Sequence, residues 1–204
     1  MRTLLIATRN RGKLEEIKKL LDDLPLNIID LSRYPSVETV AESGETFADN
    51  ASLKASGYAR QAGALTLADD SGLMVDALDG APGVHSARYA GEGASDGERT
   101  EKLLRALADV PQSQRGARFA SAIAIAQNDG RIVSLSVGEC KGRIAREPRG
   151  NGAFGYDPIF IPEGFTLTFA QMETAEKNRI SHRARALSKA AAFLRALTAA
   201  SRDV

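Results

Sequence analysis

A single cysteine, Cys140, is all the thiol chemistry that 204 residues contain. It cannot close an internal disulfide, so a stapled secreted fold is not expected and a buried, inert thiol is its plain reading. Charge of one sign is lacking as well. The 27 lysines and arginines are offset by 26 aspartates and glutamates, a net charge of +1, so no global field draws in nucleic acid or an anionic membrane, and any anion must be held by local placement. Long apolar runs are also missing. The N-terminal run Leu4-Leu5-Ile6-Ala7 is cut off by Arg9, Arg11 and Lys13, well short of a signal-peptide core or a membrane span. Repeats, linkers and low-complexity tracts do not occur. These absences point to a soluble chain in the cytoplasm. With 43% hydrophobic and 26% charged residues, it has enough apolar surface for one large domain, expected over residues 1–204.

The hydrophobic pattern alternates between helix and strand periods. Met1–Ala7 is predicted as a buried strand, and "GKLEEIKKLLDDL" places Leu14, Ile17, Leu20, Leu21 and Leu24 at helical spacing. "LNIIDLSRYP" suggests a second strand ended by Pro35. From Glu45 to Ala62, Phe47, Ala51, Ala55, Tyr58 and Ala62 share a helix face, with Gly63 as the stop signal. "ALTLA" supplies a strand that leads into Asp69-Asp70-Ser71-Gly72. "DGAPGVHSARYAGEGASDG" is too long for a simple connection and is a candidate functional loop. A helix over Arg99–Ala108 follows, then two β-rich runs, "RFASAIAIAQ" and "RIVSLSVGECKGRIA", around the hairpin signal Asn128-Asp129-Gly130. A last helix is expected from about Ser181, its N-cap, to Ala200. The alternation argues for an α/β fold.

Five stretches bear residues suited to chemistry. "ATRNRGK", residues 7–13, is a polar strand-to-helix loop whose free backbone N–H groups, helix dipole and Lys13 suit phosphate oxygens. It is not a Walker loop, and an ordinary basic turn is the competing reading. Lys54 flanks the apolar stripe of the second helix, where it either snorkels to solvent or reaches an anion in a cleft. Glu42 precedes that helix, as a solvated residue or as a further carboxylate. The pair Asp69-Asp70 suits a hard cation or the activation of water, but it also fits a simple Asx-rich turn. "GNGAFGYDPIF" combines glycines that let backbone approach a flat ligand with Phe154 and Tyr156 as stacking rings or core residues. "EKNRISHRARAL" gathers Lys177, Arg179, His182, Arg183 and Arg185, as a solvated face, a nucleic-acid patch, or donors to a purine carbonyl.

Taken in order, "LLIATRNRGKLEEI", "ESGETFADNASLKA", "LADDSGLMVDALDGAPGVHSARYAGE", "REPRGNGAFGYDPIF" and "EKNRISHRARAL" closely resemble the Ham1 or RdgB family of inosine/xanthosine triphosphate pyrophosphatases, the enzymes that cleanse the nucleotide pool of noncanonical purines. The resemblance spans essentially the whole chain. It implies an elongated, two-lobed α/β architecture around a long central mixed sheet, with the active cleft between the lobes, and a homodimer without a nucleic-acid or membrane partner. It also implies Mg²⁺-dependent hydrolysis of ITP, dITP or XTP to the monophosphate and pyrophosphate. By match of motif, Thr8, Arg9, Asn10, Arg11, Gly12 and Lys13 would hold the triphosphate, with Lys54 a second phosphate contact. Asp70 would be the catalytic acid residue, with Glu42, Asp69 and Asp70 at the metal, and Ser71 would touch substrate. Phe154, Gly155, Tyr156 and Asp157 would enclose the base, completed by Lys177, His182 and Arg183. Two departures stand out: Arg9 and Ala184 occupy positions where many members carry glycine.

Donors aimed at a 6-oxo group would select hypoxanthine or xanthine over adenine, whose amino group cannot accept. The competing readings are a pyrophosphatase for other modified nucleotides, a catalytically silent nucleotide-binding protein, and a nucleic-acid-binding protein using the basic C-terminal segment. Intact Asp69, Asp70, Glu42 and both lysines favour turnover, and Ser181-His182-Arg183 favours a purine.

Overall fold

A computed structural model describes residues 2–150 and 154–199 of the chain. Residues 151–153 of the glycine-rich stretch, and Met1 and Ala200 at the ends of two expected elements, lie outside them. Six strands form one mixed sheet in the order β2-β1-β3-β4-β5-β6. They are β1 Arg2–Ile6, β2 Leu26–Asp30, β3 Thr66–Val75, β4 Gly116–Ala126, β5 Ile132–Ile144 and β6 Phe160–Pro162. β1 pairs in parallel with both β2 and β3, whereas β5 and β6 run antiparallel. The helices are α1 Arg11–Leu20, α2 Phe47–Ala62, α3 Asp96–Ala106, α4 Thr174–Ile180 and α5 His182–Ala199. The mixed α/β class expected from the sequence is therefore present. No described helix is long and apolar enough to cross a membrane.

The described residues divide into two compact units, one within residues 1–70, 121–138 and 183–204, the other within residues 71–120 and 139–182. Their boundaries fall inside β3, β4, β5 and α5 and not in linkers, in keeping with a sequence that shows no linker composition. In the first unit the sheet is covered on both faces. Because side chains alternate along a strand, Leu4, Ile6, Leu67, Ile123 and Ile125 join a core with Ile17 and Leu21 of the α1 region and Leu187 and Leu194 of α5. Their neighbours Leu5, Ala68, Ala122, Ala124 and Ala126 turn the other way and meet Ala51, Ala55, Tyr58 and Ala59 of α2. Alanine on both sides of that contact lets helix and sheet approach closely, while the branched residues fill the opposite layer. The second unit has its own core, with Leu73, Val75, Phe119, Cys140 and Ile144 from the strands packed on Leu103, Leu107, Tyr156, Phe160 and Phe169.

Local chemistry explains where elements begin and end. Thr46 caps α2 through a reciprocal capping box with Asp49, and Gly63 ends it at φ +62° in the left-handed region, which glycine enters without a Cβ penalty. The expected strand ending at Pro35 stops earlier, at Asp30, because the Asp30 side chain accepts the Ser32 N–H and starts the short 3₁₀ turn Leu31–Arg33. After β3 the chain forms the 3₁₀ turn Asp76–Leu78, and the Gly-rich stretch that follows contains a second, Gly83–Arg88. Asn128-Asp129-Gly130 forms the predicted tight connection, closed by Gln127 N–H to Arg131 O at 2.9 Å and Gly130 N–H to Gln127 O at 2.8 Å. The basic "EKNRI" run forms the separate helix α4, and Ser181 stands between α4 and α5.

Candidate active site

The aspartate pair does not sit in a turn. β3 runs from Thr66 through Asp69, Asp70, Ser71 and Gly72 to Val75, so adjacent carboxylates project to opposite faces of the sheet. Each meets a lysine from the helix on its own face. Lys13 of α1 places its Nζ 2.7 Å from Asp69 Oδ2, and Lys54 of α2 places its Nζ 2.9 Å from Asp70 Oδ1. Lys54 also reaches Glu42 Oε1 at 3.2 Å, so it joins two carboxylates that are distant in sequence. It is buried, not snorkelling.

The two aspartates are tuned in opposite directions. Burial alone would raise the Asp69 carboxyl, but Lys13, Arg183 and the hydrogen bonds from Lys13 and Ser121 outweigh it, holding it well below the usual carboxylate range. Ser121 Oγ donates to Asp69 Oδ1 at 2.7 Å, and Arg183 Nε lies 3.7 Å from Oδ2. At Asp70 burial dominates and pushes the carboxyl up, with Glu42 adding to it and Lys54 and Lys13 opposing. Burial would also lower Lys54, but Asp70, Glu42 and Asp69 more than compensate and keep the ammonium charged. Asp69 is thus a fixed anion inside a cationic cage, and Asp70 is the carboxylate whose proton affinity is raised.

Upstream, the loop between β1 and α1 is shaped by its own side chains. Thr8 Oγ1 accepts the Asn10 N–H at 3.2 Å, and Asn10 Oδ1 accepts the Lys13 N–H at 3.0 Å as the N-cap of α1. Arg9, Asn10 and Arg11 are exposed, with Gly12 beside them on the first turn of the helix. The first turn holds no acidic residue, which leaves the positive helix end for an anion. Arg9 has no positive φ and Ala184 lies within α5, so neither position requires glycine.

A second group of expected residues lies within the other unit. Gly155 adopts φ +65° and turns the chain between Phe154 and Tyr156. Lys177 Nζ pairs with Asp157 Oδ2 at 2.6 Å and stands 5.0 Å from the Phe154 ring centroid. Tyr156 is buried, and burial pushes its hydroxyl up, so it stays protonated and donates to Ser86 O at 3.0 Å. His182 stacks on Phe119 with ring centroids 4.7 Å apart and planes at 9°. Ser71 is half-buried on β3. Arg183, the remaining expected base contact, belongs to the first unit and pairs with Glu16.

Sequence reasoning missed Glu16, Ser121 and Asp96. Glu16 lies three residues after Lys13 on α1, the spacing that puts two side chains on one helix face. Ser121 was legible as the lone hydroxyl in the apolar run "RFASAIAIAQ", at a position where an unpaired polar group would be costly. Asp96 gave no local signal, because its partner Gly155 is 59 residues away.

The residues present fit a hard divalent cation. Asp70 Oδ2 is buried and meets no hydrogen-bond partner among the described residues, and Glu42 shares Lys54 with it. Among the described residues there is no group of three or more His, Cys, Asp or Glu arranged for a metal. Two carboxylates suffice for Mg²⁺, which keeps waters and takes substrate phosphate oxygens for the rest of its shell.

Comparison with known proteins places the chain in a family. The model of the Ham1 family matches residues 4–193. A protein of Desulforamulus reducens named dITP/XTP pyrophosphatase is 48% identical over 194 residues, covering 95% of this chain and 96% of its own. A namesake from Geobacter sulfurreducens is 48% identical over 188 residues, covering 92% and 94%. Among solved structures, a HAM1 protein from Coxiella burnetii superposes with a TM-score of 0.87 at 43% identity, covering 95% of this chain and 98% of its own.

Proposed function

The chain belongs to the Ham1 family, and from that premise we propose that it hydrolyses the noncanonical purine nucleoside triphosphates ITP, dITP and XTP to the monophosphate and pyrophosphate. The observation that carries the chemistry is the Asp70 carboxylate: buried, one oxygen held by Lys54, the other with no hydrogen-bond partner among the described residues. On the same premise the protein works as a homodimer in the cytoplasm.

Asp70 and Glu42 are the oxygen donors for Mg²⁺, which when bound supplies a Lewis acid for phosphate oxygens. Asp70 orients a water and takes its proton as the oxygen forms a bond to the α-phosphorus. The bond from that phosphorus to the bridging oxygen breaks in line, and pyrophosphate leaves with its charge balanced by Lys13 and Lys54. Asp69 stands beside this centre and holds Lys13 in place. The N-terminal turn of α1, with Thr8 to Lys13, receives the phosphate chain. Phe154 stacks on the purine, while Tyr156, Asp157 and Lys177 frame it, and His182 and Arg183 donate to the 6-oxo group that adenine lacks.

A panel assay with Mg²⁺, giving ITP, dITP, XTP, ATP, GTP, dTTP and CTP separately and identifying both products, tests this reading. Monophosphate plus pyrophosphate, from ITP, dITP and XTP far faster than from ATP or GTP, is expected. Orthophosphate plus diphosphate would overturn the reaction, equal rates would overturn the specificity, and binding without turnover would favour a silent nucleotide-binding protein.

A further inference from the structure

The N-terminal turn of α3 contains an aspartate that its own helix does not need. Ser95 caps α3 by accepting the Glu98 N–H, and Glu98 returns a hydrogen bond from the Ser95 N–H, so the capping box is complete without Asp96. Neither Asp96 oxygen serves the cap. Oδ2 accepts the Gly155 N–H at 2.7 Å, and Oδ1 pairs with the Arg99 guanidinium. Arg99 in turn donates from Nη1 to Ala87 O at 2.8 Å and to Ala94 O at 2.6 Å. One turn further on, Thr100 Oγ1 lies 3.5 Å from Gly155 O. The peptide groups of Gly155 are thereby approached on both sides from α3, while the neighbouring Tyr156 hydroxyl is tied to Ser86 O.

We propose that Asp96 is a positioning residue for the purine pocket: through the Gly155 N–H it fixes the left-handed turn that orients Phe154 and Tyr156, and so sets affinity for the base without taking part in phosphate chemistry. The proposal rests on the reading of Phe154 and Tyr156 as the base pocket. A carboxylate is suited to this task. It forms a charge-assisted bond to the Gly155 amide, it sits in the first turn of α3 where the helix dipole favours an anion, and Arg99 fixes its orientation. Since Arg99 also holds the Ala87 and Ala94 carbonyls, the Gly-rich stretch after β3 and the turn at Gly155 are both anchored on the same aspartate–arginine pair.

Isothermal titration of inosine monophosphate and of pyrophosphate, each on its own, together with steady-state kinetics on ITP, tests the proposal. Asp96→Ala is expected to weaken inosine monophosphate binding and raise KM for ITP by about tenfold, the equivalent of one lost charged hydrogen bond, with kcat and pyrophosphate affinity unchanged. Asp96→Asn keeps an oxygen acceptor for the Gly155 N–H and is expected to recover most of the loss. Should Asp96→Ala not fold, Arg99→Gln, which releases the other end of the pair, is expected to show the same split. Equal loss of both ligands, a fall in kcat at unchanged KM, or no effect in any variant would overturn the positioning role. Failure of the wild-type protein to bind inosine monophosphate or cleave ITP would instead overturn the purine reading, and this proposal with it.

Discussion

At the scale of single residues, the candidate site is marked by neighbouring carboxylates in different surroundings. Asp69 and Asp70 are adjacent in β3, yet one is surrounded by Lys13, Arg183 and Ser121 and the other by Lys54 and Glu42. Only the second keeps a buried oxygen without a hydrogen-bond partner among the described residues. Asp70→Asn preserves the shape and the Lys54 contact but removes the charge. It is expected to lower kcat by about a thousandfold, the order of a lost general base, while nucleotide binding, measured by titration with ITP, stays close to that of the wild type. A variant that turns over near the wild-type rate would remove Asp70 from its role. Lys54→Met makes the complementary case. It leaves Asp70 and Glu42 without the ammonium that joins them, so both kcat and folding stability are expected to fall. The stability loss should be about 3 kcal/mol, as for breaking a buried pair by removing one partner, and urea melts will measure it.

Whole elements depend on polar contacts that no periodicity reveals. Arg115 is buried at the start of β4, and its guanidinium donates to Leu107 O at 2.6 Å, Ala145 O at 3.0 Å and Val110 O at 3.2 Å. It therefore satisfies carbonyls at the end of α3, in the connection that follows and after β5. Arg115→Met keeps much of the apolar stem but strands those carbonyls, and is expected to cost about 2–4 kcal/mol in urea unfolding. The end of β2 offers a test by pH. Hydrogen bonds from the Ser32 hydroxyl and N–H, with Lys18 in support, hold the Asp30 carboxyl below its ordinary value. A depressed folded-state value means that the unfolded chain binds the proton more readily, so the stabilisation is complete above about pH 4, the unfolded value, and fades as pH falls through the folded one. Asp30→Ala is expected to cost about 1 kcal/mol at pH 7, as for other lost caps, with the gap to the wild type narrowing below pH 4 in parallel melts. The sequence showed the helices with strong periods and explicit stops, such as Gly63 after α2, because those signals are local. It did not show that β2 ends at a side-chain cap well before Pro35, or that the run before Ser181 forms a helix of its own, since both depend on hydrogen bonds and packing and not on an apolar repeat.

For the molecule as a whole, the legible part was the order of its motifs. Loop, acidic helix entry, aspartate pair, aromatic loop and basic segment each had an ordinary reading, and it was the sequence of five that identified the family. The illegible part was the pairing across the chain: Lys13 with Asp69, Lys54 with Asp70, Arg183 with Glu16, Asp96 with Gly155. Those contacts join residues far apart in sequence, and only the sheet order and alternation bring them together. They also bear on what the proposed metal would do for the fold. Each unit has apolar core clusters of its own, and Lys54 already offsets one of the two charges on the carboxylates proposed as ligands. The metal is therefore expected to serve the reaction and not to staple the chain, unlike small metallo-domains that unfold without their ion. EDTA is expected to abolish ITP hydrolysis and added Mg²⁺ to restore it, while the melting temperature in EDTA stays within about 2 °C of its value in millimolar Mg²⁺, the small shift expected of a weakly held ion. Calorimetry alongside the activity assay separates the possibilities: a melting temperature that collapses in EDTA would make the ion structural, and turnover that survives EDTA would remove it from the mechanism.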